Sequence, residues 1–529
     1  MECGLTQDNS NAVSAGEVFG GWRWTRWLET QADRHRNWVF VGIFVLYLLS
    51  FNGLWRIGSD SGLYLSVAQN IAGGQGYSYH GEAHRLAYPG LPYLLAGLMR
   101  ISPKHYIALA DGAMLGMGLL SLTLCYHLFR HVVRRPAAVI ATAMVAGNFL
   151  FYKHAFELLT DIPFILGTLM VLLGGTLSGL LSCPNLDGQA TSIAKLGRRA
   201  GWFFLPAGLA LCALMRPTVY PLIACLVLSM AAGAIRKPKA RLAYMIGAAV
   251  VVGLMVISQL ADPRREEKNS PDIYEQAITI QLKAVFGNPS VALNHARQLI
   301  SPELPTAFFG LSFSVWGDWL ASAAILGSAV WVLRRWPMAM LWIAATLGMQ
   351  LIVEPVPRYM MPILPLLILA WWETAVGLTD RLSQHRGNTI AILMTGVMLV
   401  NAGRCIGEVS REQYQRPFVE HYRGGQYAAV MEMAEIIRQQ TPERCVIIAP
   451  SKTQRILTCL TGRWAITAQE EQIPVRFRDL PVFVVVTGNE AGQAEDLTGY
   501  GIRAGELRAA TQSRFRKSGP LKLLEAGWQ

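Results

Sequence analysis

Charge is scarce in this chain. Only 16% of its 529 residues are charged, against 52% hydrophobic, and the mean hydropathy is +0.31. So little polar surface excludes a soluble globule and leaves a multi-span membrane protein. Cysteine is sparse too: Cys3, Cys125, Cys183, Cys212, Cys225, Cys405, Cys445 and Cys459 are scattered with no Cys-x-x-Cys pair. That spacing excludes a thiolate zinc or dithiol redox centre and leaves packing in apolar helices as their role. No small-residue cleavage site follows the first apolar run, Trp38 to Trp55, so this run is a retained helix and not a removed signal peptide. The net charge of +12 does not ask for nucleic acid, because the basic residues lie in short clusters between apolar segments, where they set orientation.

Apolar segments are what the chain has in quantity. After Trp38 to Trp55 they fall near 105–129, 136–152, 158–182, 201–215, 217–235, 241–260, 316–333, 337–353, 358–378 and 388–407, about 11 spans in all. A cytoplasmic start, held by Arg23, Arg26, Arg34 and Arg36, places the clusters at Arg130/Arg134/Arg135, Lys195/Arg198/Arg199, Arg236/Lys237/Lys239/Arg241, Arg334/Arg335 and Arg381/Arg386 all inside. Arg216-Pro217 splits two short segments and reads as the outer tip of a hairpin; a single kinked helix is the alternative and inverts everything downstream. The expected fold is an α-helical polytopic membrane protein with long extracytoplasmic loops at 56–104 and 261–305. Its expected parts are a cytoplasmic N-terminal segment (1–37), a transmembrane domain (38–407) and a small extracytoplasmic α/β domain (408–529). In that last part the pattern predicts helices near 426–440 and 452–460 and strands at 445–449 and 482–486. A multi-pass protein of the plasma (inner) membrane follows.

With this topology Asp60, Asp111, Lys153, His154, Glu157, Asp161, Arg216, Asp318, Glu354 and Arg358 all fall at or near the outer face, in position to share one site. Leu63, Tyr64, Val67, Ala68 and Ile71 define one apolar face of a helix, expected to lie flat on the bilayer with Asp60 at its start. Asp60 then has two readings: a helix cap, stabilising by about 1 kcal/mol, or an ionised base held in the favourable field of the helix dipole.

The residues carrying this pattern are Asp60, Tyr64 and Ala68-x-Asn70, then Gly74-x-Gly76-Tyr77, then Tyr88-Pro89-Gly-Leu-Pro92-Tyr93. Further along come Glu157-Leu-Leu-Thr160-Asp161-Ile-Pro163, Leu214-Met-Arg216-Pro217 and Arg358-Tyr359-Met-Met-Pro362. Together, in this order, they resemble the C superfamily of polyprenyl-phosphate-sugar-dependent glycosyltransferases, which includes protein mannosyltransferases and the lipid A aminoarabinose transferase. The resemblance implies a hexosyl- or pentosyltransferase that acts by single displacement with inversion. Its substrates are a polyprenyl-phosphate-linked sugar donor and a lipid, glycan or protein acceptor. Many members carry an acidic pair after the first span, where this chain has Asp60 followed by Ser61.

The chemistry needs a base for the acceptor hydroxyl and cations for the departing lipid phosphate. Asp60 is the expected base, with Glu157 and Asp161 orienting the acceptor or substituting for it. Arg216 and Arg358 are expected on the donor phosphate, where a guanidinium engages two oxygens at once, with Lys153 and His154 adding a further contact. Tyr64, Asn70, Tyr77, His84 and Arg85 are the expected substrate-loop residues. His80-x-Glu82-x-His84 is not the helical zinc spacing, and although relatives include metal-dependent enzymes, no cofactor is favoured and a divalent metal stays open. The α/β domain lacks a phosphate-loop spacing and is expected to act as a rigid lid; Cys445 and Cys459 are its one conceivable disulfide. The alternative function is a transporter or flippase for a lipid-linked or anionic substrate, against which stand the absence of an internal repeat and the gathering of charge at one face.

Overall fold

The computed structural model describes residues 24–528 apart from 85–87, 182–192, 237–241, 243–244, 246, 250, 252, 254–272, 335, 383, 411–427, 451–452, 468–478, 488–501 and 515–519. The described residues begin with two helices, α1 (Trp24–Arg34) and α2 (Arg36–Leu49). The first long loop folds as α3 (Ser59–Ala72), a hairpin of β1 (Ser78–Tyr79) and β2 (Glu82–Ala83), and α4 (Gly90–Ile101). The bundle continues with α5 (Tyr106–Val132), α6 (Arg135–Ala146), the short α7 (Phe149–His154), α8 (Asp161–Ser178), α9 (Ile193–Met215) and α10 (Val219–Arg236). Later helices cover Ile273–Gly287, Pro289–Gln298, Leu304–Phe309, Val315–Leu333, Pro337–Ile352, Leu364–Arg381 and Gln384–Ser410.

Ten of the apolar segments read from the sequence coincide with helices, while 241–260 lies largely outside the described residues. The expected segment 136–152 is divided at Gly147-Asn148, where the Asn148 side chain caps α7 by accepting from Leu150 and Phe151 backbone N–H groups. Among the described residues four helices are long and apolar enough to cross a membrane, Tyr106–Val132, Asp161–Ser178, Val315–Leu333 and His385–Gly407. Large apolar side chains are exposed along α2 (Val41, Phe44, Val45, Leu48) and along Val315–Leu333 (Trp316, Leu320, Val330). Such contiguous apolar surface is unsuited to water and suited to lipid.

The tightest helix pair is α8 against α9. Cβ atoms added at Gly174 and Gly208 would fall 2.5 Å from Leu205 N and 2.6 Å from Gly167 O, so two backbones meet where no side chain intervenes. Close approach over small residues is how apolar helices associate when hydrophobic contrast with the surroundings is absent. It also sets the ends of the pair: Arg216, after α9, reaches Thr160 and Asp161 at the start of α8. Farther along α10 the Ser229 hydroxyl donates to Met338 Sδ at 3.4 Å, at the end of the helix Pro337–Ile352 that is remote from Arg358. The chain therefore reverses at Arg216-Pro217-Thr218 as a hairpin.

The C-terminal α/β domain has a five-stranded sheet in the order β4 (Trp464–Ile466), β3 (Val446–Ile448), β5 (Val482–Thr487), β7 (Pro520–Trp528), β6 (Ile502–Arg514). β3 is parallel to β4 and β5, and β7 is antiparallel to β5 and β6. The three residues of β3 are all buried, as in a strand covered on both faces. The helices Ala428–Gln440 and Gln454–Thr461 pack on one face around Met433, Ile447, Ile456 and Phe483. Cys445 and Cys459 are both buried free thiols.

The helix Gln454–Thr461 joins the two parts. Ile456 and Leu457 belong to the core of the α/β domain, whereas Cys459 belongs to the core of the bundle. Its backbone rests on α3 at Gly62, where an added Cβ would lie 3.0 Å from Arg455 O. The hairpin completes the contact: His80 Nε2 is 3.2 Å from Thr458 Oγ1. α3 therefore does not lie on the bilayer with one free face, as its apolar stripe predicts. Ser61, Gly62 and Ser66 on its other side are buried as well, because small residues there admit the neighbouring helix.

Candidate active site

The start of α3 is built by Ser61. Its hydroxyl accepts from Gly58 N at 3.1 Å and Trp55 Nε1 at 2.9 Å and donates to Gly58 O at 2.9 Å, closing the first turn locally. The residue that departs from the family's acidic pair thus does the capping. Asp60 is left with its carboxylate directed elsewhere: Oδ2 accepts from Arg358 Nη2 at 2.8 Å and Oδ1 from Arg455 Nη1 at 2.9 Å. These partners lie 298 and 395 residues away.

Arg358 sits on a 3-10 turn, Pro357–Met360, that precedes the helix Leu364–Arg381. Its guanidinium carbon is 5.3 Å from the centroid of the Tyr359 ring, and Arg216 lies 5.7 Å from the same ring. One tyrosine thus holds both arginines by cation–π contact. Arg216 Nε donates to Thr160 Oγ1 at 2.8 Å and Nη2 lies 2.5 Å from Asp161 Oδ2. Asp161 is buried, and its Oδ1 has no hydrogen-bond partner; neither has the buried Nε of Arg358.

Glu157 occupies the turn before α8. His154 Nδ1 lies 2.6 Å from its Oε2 and Lys153 Nζ 3.8 Å from its Oε1. Burial raises the carboxyl, but the charges of His154, Lys153 and Arg56 outweigh it and hold the group down at about 2. Arg56 is itself buried, its guanidinium 4.5 Å from the Phe156 ring centroid. Lys153 and His154, expected on a donor phosphate, are therefore engaged with Glu157 here.

The expected substrate-loop residues mostly build the hairpin. Asn70 Nδ2 donates to Ser78 O at 2.9 Å. Tyr77 stacks on Tyr93 with 5.9 Å between centroids, and His84 is buried beside Tyr77 and Tyr79. Tyr64 is half-buried against the bundle core, and Arg85 lies outside the described residues. The tight turn at His80-Gly81, both with positive φ, prevents His80, Glu82 and His84 from sharing one extended face. Among the described residues no group of three His, Cys, Asp or Glu side chains is placed to hold a metal ion. Asp111 and Asp318 have local tasks, accepting from Gly53 N at 3.1 Å and from Phe313 N and Ser301 Oγ at 2.8 and 2.9 Å.

The structure thus gathers Asp60, Asp161, Arg216 and Arg358 and adds Arg455, Arg56 and Tyr359, to which the sequence reading gave no role in the site. Tyr359 adjoins Arg358, and that adjacency was a signal. Arg455 had only its place as the sole charged residue in an otherwise uncharged helix. Asp60, Asp161 and Glu157 face Arg56, Lys153, Arg216, Arg358 and Arg455, so fixed cations outnumber carboxylates. Such a surplus, with buried polar atoms unpaired beside it, is suited to an anionic ligand.

Known structures share this architecture. ArnT from Cupriavidus metallidurans bound to undecaprenyl phosphate matches with a TM-score of 0.57 at 15% identity, over 92% of this chain and 98% of that one. ArnT from the same organism in the apo state gives 0.55 at 15% identity, over 93% and 98%. The Archaeoglobus fulgidus oligosaccharyltransferase tethered to an acceptor peptide containing the NVT sequon gives 0.51 at 12% identity, over 93% of this chain and 74% of that one. No protein-family model matches the sequence, and no curated protein matches it. At these identities the likeness is one of fold: the chain shares the architecture of ArnT and of the Archaeoglobus fulgidus oligosaccharyltransferase.

Proposed function

We propose that this chain is a membrane glycosyltransferase that moves a sugar from a polyprenyl-phosphate donor to an acceptor hydroxyl on the extracytoplasmic face. The observation that carries the reading is Asp60 held among arginines at one end of a bundle whose fold is shared with ArnT bound to undecaprenyl phosphate. In the reaction Asp60 takes the acceptor hydroxyl proton while the acceptor oxygen bonds to the anomeric carbon. The bond from that carbon to the phosphate oxygen breaks, and polyprenyl monophosphate leaves with the electron pair. A single displacement of this kind inverts the anomeric centre. Arg358 and Arg216 stabilise the charge that grows on the phosphate. Arg358 is suited to this because its Nε is buried and unpaired. Asp161, with a free oxygen, orients the acceptor, and Glu157 fixes the turn that carries it.

Orientation is part of the proposal: the Asp60 end and residues 408–529 face outward, and 1–37 face inward. Cysteines placed at the exposed positions Glu82 and Gln439 are expected to react with an impermeant thiol reagent in intact cells, and one at Thr30 is not. The reverse pattern sinks the orientation. Catalysis is tested by loss of sugar transfer in Asp60→Asn protein that keeps its fold; near wild-type turnover in that variant moves the base to Asp161 or Glu157.

A further inference from the structure

Asp60 has no idle oxygen. Arg358 holds one and Arg455 the other, at 2.8 and 2.9 Å. The two guanidiniums differ in origin: Arg358 precedes a bundle helix, while Arg455 is carried in by the α/β domain. The position of Arg455 is imposed by packing on three sides. Its carbonyl lies against Gly62, where even a methyl group would be crowded, and Ile456 and Leu457 are anchored in the domain's own core. Cys459, one turn on, is buried in the bundle core. The backbone is fixed, so motion of Arg455 is confined to its long side chain. That side chain is 29% exposed, with room to change partner.

A phosphate ester competes well for such groups. It offers two anionic oxygens to a planar fork and is matched bidentately by arginine, as a carboxylate is. A base gripped at both oxygens is poorly placed to accept a proton from an incoming hydroxyl, and the cations gripping it are of the kind a leaving phosphate needs. Resting on the reading of the site as a polyprenyl-phosphate transferase, we infer that the Asp60–Arg455 pair is an exchange latch. In the donor-free protein Arg455 and Arg358 hold Asp60; the donor's phosphate takes both arginines, and Asp60 is released as base only when donor is bound. The α/β domain is then a working part of the active site, and Arg455 is a donor-binding residue supplied by it.

The test is a double-mutant cycle on binding of undecaprenyl monophosphate to the full chain in nanodiscs, followed by native mass spectrometry. It compares wild type, Asp60→Asn, Arg455→Gln and the double variant. Removing the carboxylate is expected to tighten binding about tenfold, because it frees both arginines, and Arg455→Gln is expected to weaken binding about tenfold. The gain from Asp60→Asn should shrink at least threefold in the Arg455→Gln background, since one of the released arginines is gone. Arg455→Lys, which keeps the charge and so guards against mere displacement of the domain, should bind between wild type and Arg455→Gln. An equal gain in both backgrounds means simple charge repulsion and overturns the latch, as does an Arg455→Gln protein that binds like wild type. No saturable binding to wild type removes the transferase reading, and the latch with it.

Discussion

The bundle carries clusters of carboxylates and arginines at both ends, and they are built differently. The helix Leu364–Arg381 has 18 residues, about 27 Å of rise, with Arg358 just before its start and Asp380 near its end. At the Asp380 end the pairs are closed and mostly exposed: Arg26 with Asp380 at 2.5 Å, and Arg135 with Asp33 at 2.7 Å. Arg134 lies 3.1 Å from Glu29. Glu29 is shared by Arg26 and Arg134, and Glu373 stands beside Arg26, so carboxylates there are at least as many as the arginines paired with them, and the exposed pairs contribute little. At the Asp60 end the cations are in surplus, one carboxylate is shared by two arginines, and Asp161 and Arg358 keep buried atoms unpaired. The two glutamates diverge accordingly: Glu157 is held at about 2 by its cations, and burial pushes Glu29 up to about 7 against the pull of Arg26. Charge at the end of a membrane helix is thus not itself a sign of function. What sets the Asp60 end apart is that its cations outnumber its carboxylates.

Substitution at the two ends should give very different results. Asp60→Asn is expected to lower sugar transfer by roughly 10² to 10⁴-fold, the usual weight of a general base, in protein that still unfolds cooperatively in detergent. Retained turnover would make the Asp60 end as structural as the other. Arg358→Lys and Arg216→Lys keep the charge but lose the two-pronged geometry. Each should reduce kcat/KM for the donor about a hundredfold, corresponding to roughly 3 kcal/mol. Equal losses with an acceptor varied at saturating donor would place the arginines on the wrong substrate.

The glutamates provide the smaller effects and a pH signature. Glu157 has its carboxyl lowered in the fold, so its contribution to stability is complete above 4.5, the ordinary value, and is lost as pH falls through about 2. Glu157→Gln should therefore destabilise the protein by about 1 to 3 kcal/mol at neutral pH and much less near pH 2, as read from thermal unfolding. Glu29 has the opposite sign. Its raised carboxyl favours the folded state most below 4.5, and that advantage is lost as pH rises to about 7. Glu29→Gln should flatten the pH dependence of unfolding between 4.5 and 7 and leave sugar transfer at its wild-type rate. A transfer defect there would erase the distinction between the two ends.

Much of this was legible because membrane helices announce themselves by length and because parity then assigns every charged end to one side. Asp60, Asp161, Arg216 and Arg358 were placed together on that basis, and the structure brings these four side chains together. What escaped depends on tertiary contacts. Nothing local marks Arg455 as a partner of Asp60; the pairing follows from the missing side chain at Gly62, which admits the helix that carries it. Asn70, Tyr77 and His84 have the polarity expected of substrate contacts, yet they serve the hairpin's own packing. The strands Ile502–Arg514 and Pro520–Trp528 went unread because Arg503, Glu506 and Arg508 interrupt clean alternation in one, and the adjacent Leu523-Leu524 pair and Gly527 blur it in the other. β4, at three residues, is too short to show a period.

The most direct measurement is lipid mass spectrometry on cells whose only copy of this protein carries Asp60→Asn, beside wild-type and deletion cells. A polyprenyl-phosphate-linked sugar should accumulate in the Asp60→Asn and deletion cells alike and stay low in wild type, since the donor is made but not consumed. Lipid-linked sugar pools that are the same in all three would contradict a donor-consuming transferase with Asp60 as its base.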